Sequence, residues 1–255
     1  MRLNAIVIAA GMLAVVTAVE AAELTVKAEM KQVVEPASNT LLAVGGDLSP
    51  ERLLAAYRRG IFPWYSRNQP VLWWSPATRT VFDTARMHVP RRLAHWLRHC
   101  EWRIGADSAF DAVVRACAAP RAGQRGTWIT PAMRAAYQRL HELGHAHSVE
   151  VWDDAQLAGG IYGVAIGRMF FGESMFSAAT NGSKVALLAL CHALREWGFP
   201  LLDAQVASPH LFTLGAIEMP RAAFCTRVAE LAAQAAHAGD WRDRFPATRA
   251  PDLAG

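Results

Sequence analysis

The sequence predicts a mixed α/β (α+β) fold, and three observations carry that reading. Ser148–Trp152, Leu157–Ile166 and Met169–Met175 are apolar-rich runs parted only by Asp153-Asp154 and Gly167-Arg168, the pattern of an antiparallel meander. A helical stretch from Lys184 to Trp197 follows, with Ser183 as its cap and Gly198 as its stop. A second apolar run, Leu201–Val206, then returns as a strand.

The remaining elements are read in chain order. Arg2, the uncharged stretch Leu3–Val19 and the small residues Ala21 and Ala22 have the form of a secretory signal peptide. The stretch is short for a membrane span, which needs about 20 apolar residues. A start codon placed too early, with Met30 nearer the true start, accounts for it as well. Residues 1–36 are therefore expected to be an extension, 37–100 a small N-terminal domain, 101–240 the main domain and 241–255 a tail of little pattern. Leu41–Val44 is a short apolar run before Gly45-Gly46-Asp47, and Ser49-Pro50 opens a helix through Tyr57 that Gly60 ends. Ile61–Tyr65 and Val71–Pro76 are aromatic segments around a loop; they are either core or a platform for a base. Thr80–Phe82 reads as a strand, Pro90–His99 as a helix, Trp102–Ile104 as a strand and Ser108–Cys117 as an amphipathic helix. Thr130 caps a helix that starts at Pro131 and ends at Gly144. A short helix at His210–Leu214 and a mostly helical Pro220–Ala236 follow.

The hydrophobic fraction of 53% and nine Trp residues imply a real core and exclude a disordered chain. The net charge is +4, and arginine supplies nearly all the positive charge, because Lys27, Lys31 and Lys184 are the only lysines. An Ala- and Arg-rich composition explains this, and so does a phosphate-bearing partner. Cys100, Cys117, Cys191 and Cys225 are widely spaced and contain no C-x-x-C pair, which argues against a zinc knuckle and a disulfide framework.

Two places hold chemistry-bearing residues. Glu173 stands among Phe170, Phe171, Met175 and Phe176, and a carboxylate in such company is paired or functional. Asp203 and Gln205 are two apart, so a strand points both to one face. They form either an orienting pair or a solvated strand end. His141-Glu142-Leu143-Gly144-His145 satisfies the zinc-protease pattern H-E-x-x-H. Gly144 is better read as the residue that ends the helix, which would leave His145 beyond it.

Taken together the motifs are specific. They are Gly45–Pro50, Tyr57–Trp64, Trp73–Pro76, Gly126–Thr130, His141–Trp152, Phe171–Ser177, Leu202–Gln205, His210, Leu211, Leu214–Ala216 and Pro220-Arg221. Between Leu41 and Phe224 the chain resembles the leucyl/phenylalanyl-tRNA–protein transferase family, the bacterial aminoacyl-transferases of the N-end rule pathway. The resemblance implies an acetyltransferase-like (GNAT-like) domain behind a smaller N-terminal one. It implies transfer of leucine or phenylalanine, with methionine a further donor, from aminoacyl-tRNA to proteins beginning with Arg or Lys. It also implies a cytoplasmic monomer with no cofactor, no metal and no membrane.

By the same resemblance Asp203, Gln205 and Glu173 form the catalytic centre, with Glu173 orienting substrate. Trp64, Trp128, Tyr57 and Tyr137 lie near the terminal adenosine, and Arg91 and Arg92 near acceptor-stem phosphates. Ile161, Phe170, Met175, Phe176, Leu187 and Leu202 are candidates for the pocket of the donor side chain, and each is also ordinary core material. A zinc hydrolase, a non-catalytic tRNA or peptide binder and an acetyl-CoA-dependent acetyltransferase are the competing classes. The last lacks a Gly-rich pyrophosphate loop, for which Asn181-Gly182-Ser183 is too short.

Overall fold

The computed structural model describes residues 31–32, 41–120, 127–235 and 239–254. The signal-like stretch Leu3–Val19 lies outside the described residues. The smaller sheet is built from β1 (Lys31–Gln32), β2 (Leu41–Val44), β3 (Phe62–Pro63) and β4 (Leu72–Trp74), in the order β1-β2-β4-β3. The larger takes β5 (Thr78–Asp83), β6 (Arg103–Ala106), β7 (Ala146–Asp153), β8 (Gln156–Ile166), β9 (Met169–Ser177), β10 (Leu201–Gln205), β11 (Ile217–Pro220) and β12 (Thr248–Arg249). Its order is β11-β5-β10-β9-β8-β7-β6-β12. Seven helices are described: α1 (Pro50–Tyr57), α2 (Arg91–Arg98), α3 (Phe110–Ala118), α4 (Pro131–Glu142), α5 (Gly182–Glu196), α6 (Pro209–Phe212) and α7 (Arg221–Ala232).

The mixed α/β architecture follows from the pattern read in the sequence. β7, β8 and β9 are consecutive neighbours joined by two-residue turns, and Asp154 (φ 51°) and Gly167 (φ 57°) supply the positive φ that such hairpins need. After β9 the chain crosses over through α5 and returns as β10 alongside β9, the one parallel pair among the described strands. β5 precedes the division expected near residue 100, yet it pairs with β10 and β11 in the larger sheet.

Strand alternation sorts the core into two layers. Phe170 packs with α5 and Leu202 on one face of the sheet, while Met169 and Phe171 pack with Tyr57, Tyr137 and Phe224 on the other. Where α5 begins, backbone meets backbone. A Cβ on Gly182 would stand 2.1 Å from the Ala158 carbonyl oxygen, so only glycine fits there.

One cap expectation holds, and three other local readings differ. Thr130 caps α4 through its Oγ1, which accepts from Met133 N–H at 3.2 Å, as its sequence position implies. Ser183 does not cap α5: the helix starts at Gly182, and the Ser183 side chain bonds Ser177 Oγ instead at 2.9 Å. β11 (Ile217–Pro220) occupies a stretch to which the sequence assigns no element before the helix expected from Pro220, because an edge strand ending in Pro220 carries no alternating pattern. The C-terminal segment is built into the core. Trp241 retains 1% of its surface, stacks on His147 at 3.9 Å and donates its backbone N–H to Asp107. Trp241→Ala should therefore lower the unfolding free energy by about 3–5 kcal/mol, the usual cost of deleting a buried Trp. A shift in the urea midpoint at constant slope would measure it, and no shift would place the segment outside the folding unit.

Candidate active site

The parallel pairing of β10 with β9 stops at Asp203–Phe171, although β9 runs on to Ser177. Two bulges flank this end. On β9, Gly172 and Ser174 oppose the adjacent Gly163 and Tyr162, so Glu173 is the extra residue. On β10, Asp203 and Gln205 oppose the adjacent Val81 and Thr80, so Ala204 is extra, and Gln205 takes φ 64°. A bulge re-aims a side chain. Here the two bring Glu173 and Gln205 together from adjacent strands, with Gln205 Nε2 donating to Glu173 Oε1 at 2.9 Å.

Glu173 retains 9% of its surface. Tyr57 donates to its Oε1 and Tyr137 to its Oε2, each at 2.6 Å. Burial raises the Glu173 pKa from 4.5 to about 7; the two phenols and the Gln205 amide oppose that rise, and the Asp203 charge adds to it. Desolvation wins because no cation bonds this carboxyl among the described residues. The oxygens support the same reading. Tyr57 and Tyr137 hydroxyls also lie 2.7 Å apart, which closes a ring of three short contacts. Each contact needs a proton. The phenols keep theirs, since burial and the nearby carboxylate hold both well above the usual tyrosine range. With Glu173 ionised both phenols donate to it; with Glu173 protonated, one phenol can accept from the carboxyl and turn its own proton to the other phenol, which fills all three contacts. Near neutral pH the carboxyl is thus available both as donor and as acceptor.

Asp203 is held differently. Arg79 Nε and Nη2 donate to its two oxygens at 2.8 and 2.7 Å, and neither side chain has any exposure. Arg79 Nη1 donates to the Gly60 carbonyl at 2.7 Å, and the guanidinium lies between the rings of Phe62 and Phe224. Asp203 Oδ1 also accepts the Gln205 backbone N–H at 2.8 Å. Asp203 therefore reaches Gln205 through the backbone.

Residues 81–229 match the family model described as leucyl/phenylalanyl-tRNA protein transferase, and residues 46–77 match its N-terminal domain. A leucyl/phenylalanyl-tRNA–protein transferase of Xanthomonas axonopodis pv. citri is 58% identical over 206 residues, covering 80% of this chain and 83% of the relative. The chain belongs to the leucyl/phenylalanyl-tRNA protein transferase family. A further transferase of that name, from Stutzerimonas stutzeri, is 55% identical over 80% of this chain and 90% of the relative. L-PGS from Bacillus licheniformis is a solved structure with 8% identity and a TM-score of 0.38, covering 63% of this chain and 52% of that one, too loose a match to inform the fold.

The other residues expected for a leucyl/phenylalanyl-tRNA protein transferase fall into four groups. Tyr57 and Tyr137 are fully buried and spend their hydroxyls on Glu173, so neither ring offers a face to a base in this structure. Trp64 is 44% exposed and tilts against Trp74 at 6.0 Å, while Trp128 is half-buried. Arg91 and Arg92 are exposed on the first turn of α2. Ile161, Phe170, Leu187 and Leu202 are buried in one cluster, with Met175 half-buried against it; Phe176 packs on the opposite face because the bulge at Glu173 reverses the alternation of β9. At the zinc-protease pattern, α4 ends at Glu142 and Gly144 takes φ 75°, so the two histidines do not share a helical face. His141 Nδ1 instead bonds the Ala146 carbonyl at 2.8 Å. Sequence reasoning missed Arg79, although a lone cation next to Val81-Phe82 in a strand signals a buried partner.

The raised Glu173 pKa fixes a pH dependence of stability. The folded chain holds this proton more tightly than the unfolded chain does. Its contribution is full below about pH 4.5 and is lost as pH rises to about 7, the folded value. The loss is on the order of 3 kcal/mol. Glu173→Gln cannot ionise, so wild type should lose stability relative to the variant between pH 5 and pH 8. Urea unfolding at both pH values checks this, and a difference independent of pH would mean that Glu173 titrates as an ordinary carboxyl.

Proposed function

We propose that this protein transfers leucine or phenylalanine from aminoacyl-tRNA to the α-amine of proteins that begin with Arg or Lys, marking them for N-end rule degradation. Methionine is a further donor in this reading. The observation that supports it most is the pairing of Glu173 with Gln205 at the open end of the β9–β10 ladder, in a chain whose relatives carry that name. The ester between an amino acid and tRNA is already activated. A transferase has to align it, take a proton from the amine and stabilise the oxyanion. Glu173 suits an acceptor that presents an amine, because its ionised form accepts from that amine and its neutral form donates. The Gln205 amide, kept in place by Asp203, is bonded to the same carboxyl. Proton transfer through Gln205 and proton transfer through a ribose hydroxyl of the substrate both fit this arrangement.

The donor side chain would enter the cluster of Ile161, Phe170, Leu187 and Leu202 past Met175, whose flexible thioether repacks for either Leu or Phe. Trp64 and Trp128 would stack the terminal adenosine, and Arg91 and Arg92 would follow the acceptor stem. The larger sheet with its crossover helix is read as an acetyltransferase-like domain. The chemistry requires no diffusible cofactor and no metal. No helix among the described residues is long and apolar enough to cross a membrane. Aminoacyl-tRNA is a cytosolic substrate, so the reading places the protein in the cytoplasm, as a monomer.

The test is a transfer assay with labelled Leu-tRNA or Phe-tRNA and peptides beginning with Arg, Lys or Ala. Transfer to the first two and not to the third is expected; tRNA binding without transfer would make the chain a binder, and zinc in the purified protein would revive the hydrolase class. In the same assay Asp203→Asn and Gln205→Ala should each slow transfer by about 10²-fold while tRNA binding changes little. If they act as one unit, the double variant is little worse than the worse single one. Trp64→Ala should raise KM for aminoacyl-tRNA with thermal stability nearly intact, since the exposed ring contributes little to the core; an unfolded variant with no tRNA effect in its folded fraction would make Trp64 core.

A further inference from the structure

We propose that Arg79 is a positioning residue for the transfer reaction, acting through Asp203 to hold the Gln205 backbone in its left-handed conformation and so keep the Gln205 amide on Glu173. The inference rests on the transferase reading above and adds to it a residue that no sequence motif pointed to. Four observations form one chain of contacts. Arg79 grips both oxygens of Asp203. Asp203 Oδ1 takes the Gln205 N–H at 2.8 Å. Gln205 has φ 64°, where a side chain other than glycine's is strained unless its surroundings fix it. From that backbone the amide reaches Glu173 Oε1 at 2.9 Å.

Arg79 is itself over-determined. Its Nη1 is bonded to the Gly60 carbonyl, and its guanidinium lies 4.8 Å from the Phe62 ring centroid and 4.4 Å from that of Phe224. Gly60 takes φ 72°, and a Cβ there would stand 2.9 Å from Phe224 Cε1. The clamp is thus assembled from the loop after α1, from β3 and from α7, and it delivers its effect at β10. Arginine is required for the geometry. Lysine keeps the charge but has no planar fork, so it cannot fix both carboxylate oxygens and the Gly60 carbonyl together.

A purely structural ion pair would serve stability alone. A positioning role also changes the environment of Glu173, because the Gln205 amide stabilises its ionised form. In Arg79→Lys the Asp203 charge stays balanced while the backbone of Gln205 is released. The Glu173 pKa should then rise above about 7, by about one unit, the size of one lost hydrogen bond to a charged group.

The experiment compares wild type, Arg79→Lys and Phe224→Leu in the full-length protein. The Phe224 change loosens the guanidinium without removing a polar partner. Carbon-13 NMR of the Glu173 carboxyl gives its titration midpoint, and the transfer assay with Leu-tRNA and an Arg-peptide gives kcat and KM. In Arg79→Lys the midpoint should rise, kcat should fall by about 10-fold or more and KM should stay within about twofold. Gln205→Leu should raise the midpoint in the same direction, and Phe224→Leu should show a smaller version of both changes, which keeps the test available if Arg79→Lys fails to fold. A folded Arg79 or Phe224 variant whose Glu173 midpoint does not move overturns the proposal, as does an unchanged kcat. If wild type itself transfers nothing, the transferase reading fails, while the Glu173 titration still decides whether Arg79 positions Gln205.

Discussion

The buried pair of Arg79 and Asp203 is the constraint on which this site depends. Removing two charges from water is costly, and Coulomb attraction repays it only when the geometry is good and the leftover donors and acceptors are met. Here they are met: three guanidinium nitrogens have acceptors, and Asp203 Oδ1 takes a backbone N–H besides. The aromatic rings over the guanidinium add attraction that an apolar wall would not supply. The pair connects the segment around Gly60 and Phe62 to the centre of the larger sheet. Loss of either partner would leave the other charge buried alone.

Glu173 shows the opposite balance on the same face of the sheet. It has three hydrogen-bond donors and no bonded cation among the described residues, so desolvation outweighs hydrogen bonding and its proton affinity rises. Asp203, already paired, raises it further. One carboxyl is thus fixed by a guanidinium, and its neighbour is left poised near neutral pH. That division of roles comes from which strand each occupies and what lies opposite, not from the two side chains themselves.

Much of this was legible in advance. The meander and crossover were readable because hydrophobic period and turn residues are local, and Asp153-Asp154 and Gly167-Arg168 carry their turn signals in two residues each. Strand alternation predicts Asp203 and Gln205 on one face, but the bulge at Ala204 interrupts that alternation, and Asp203 meets Gln205 through its backbone N–H while the Gln205 amide reaches Glu173. The end of α4 at Gly144 was equally local, and it removed the zinc-protease reading. The C-terminal segment was not legible. Trp241, Phe245 and Leu253 have no period, and partners far away in the sequence give them a surface to cover: His147, Phe170 and Trp197 for the two aromatic residues, and α2 and α5 for the segment that holds Leu253.

The sequence by itself determined the α/β class, the order of the strands around the crossover and the family, because each rests on runs of neighbouring residues. The tertiary structure decided what each polar group meets. Tyr57, Tyr137 and Glu173 are separated by 80 and 36 residues, yet they close one ring of oxygens, and Arg79 finds Asp203 across 124 residues. Two one-residue bulges, invisible to any periodic pattern, turn Glu173 and Gln205 toward each other. The physical reason is that the pKa of a buried group and the strain at a left-handed residue depend on partners brought in from elsewhere in the chain, and local sequence carries no record of them.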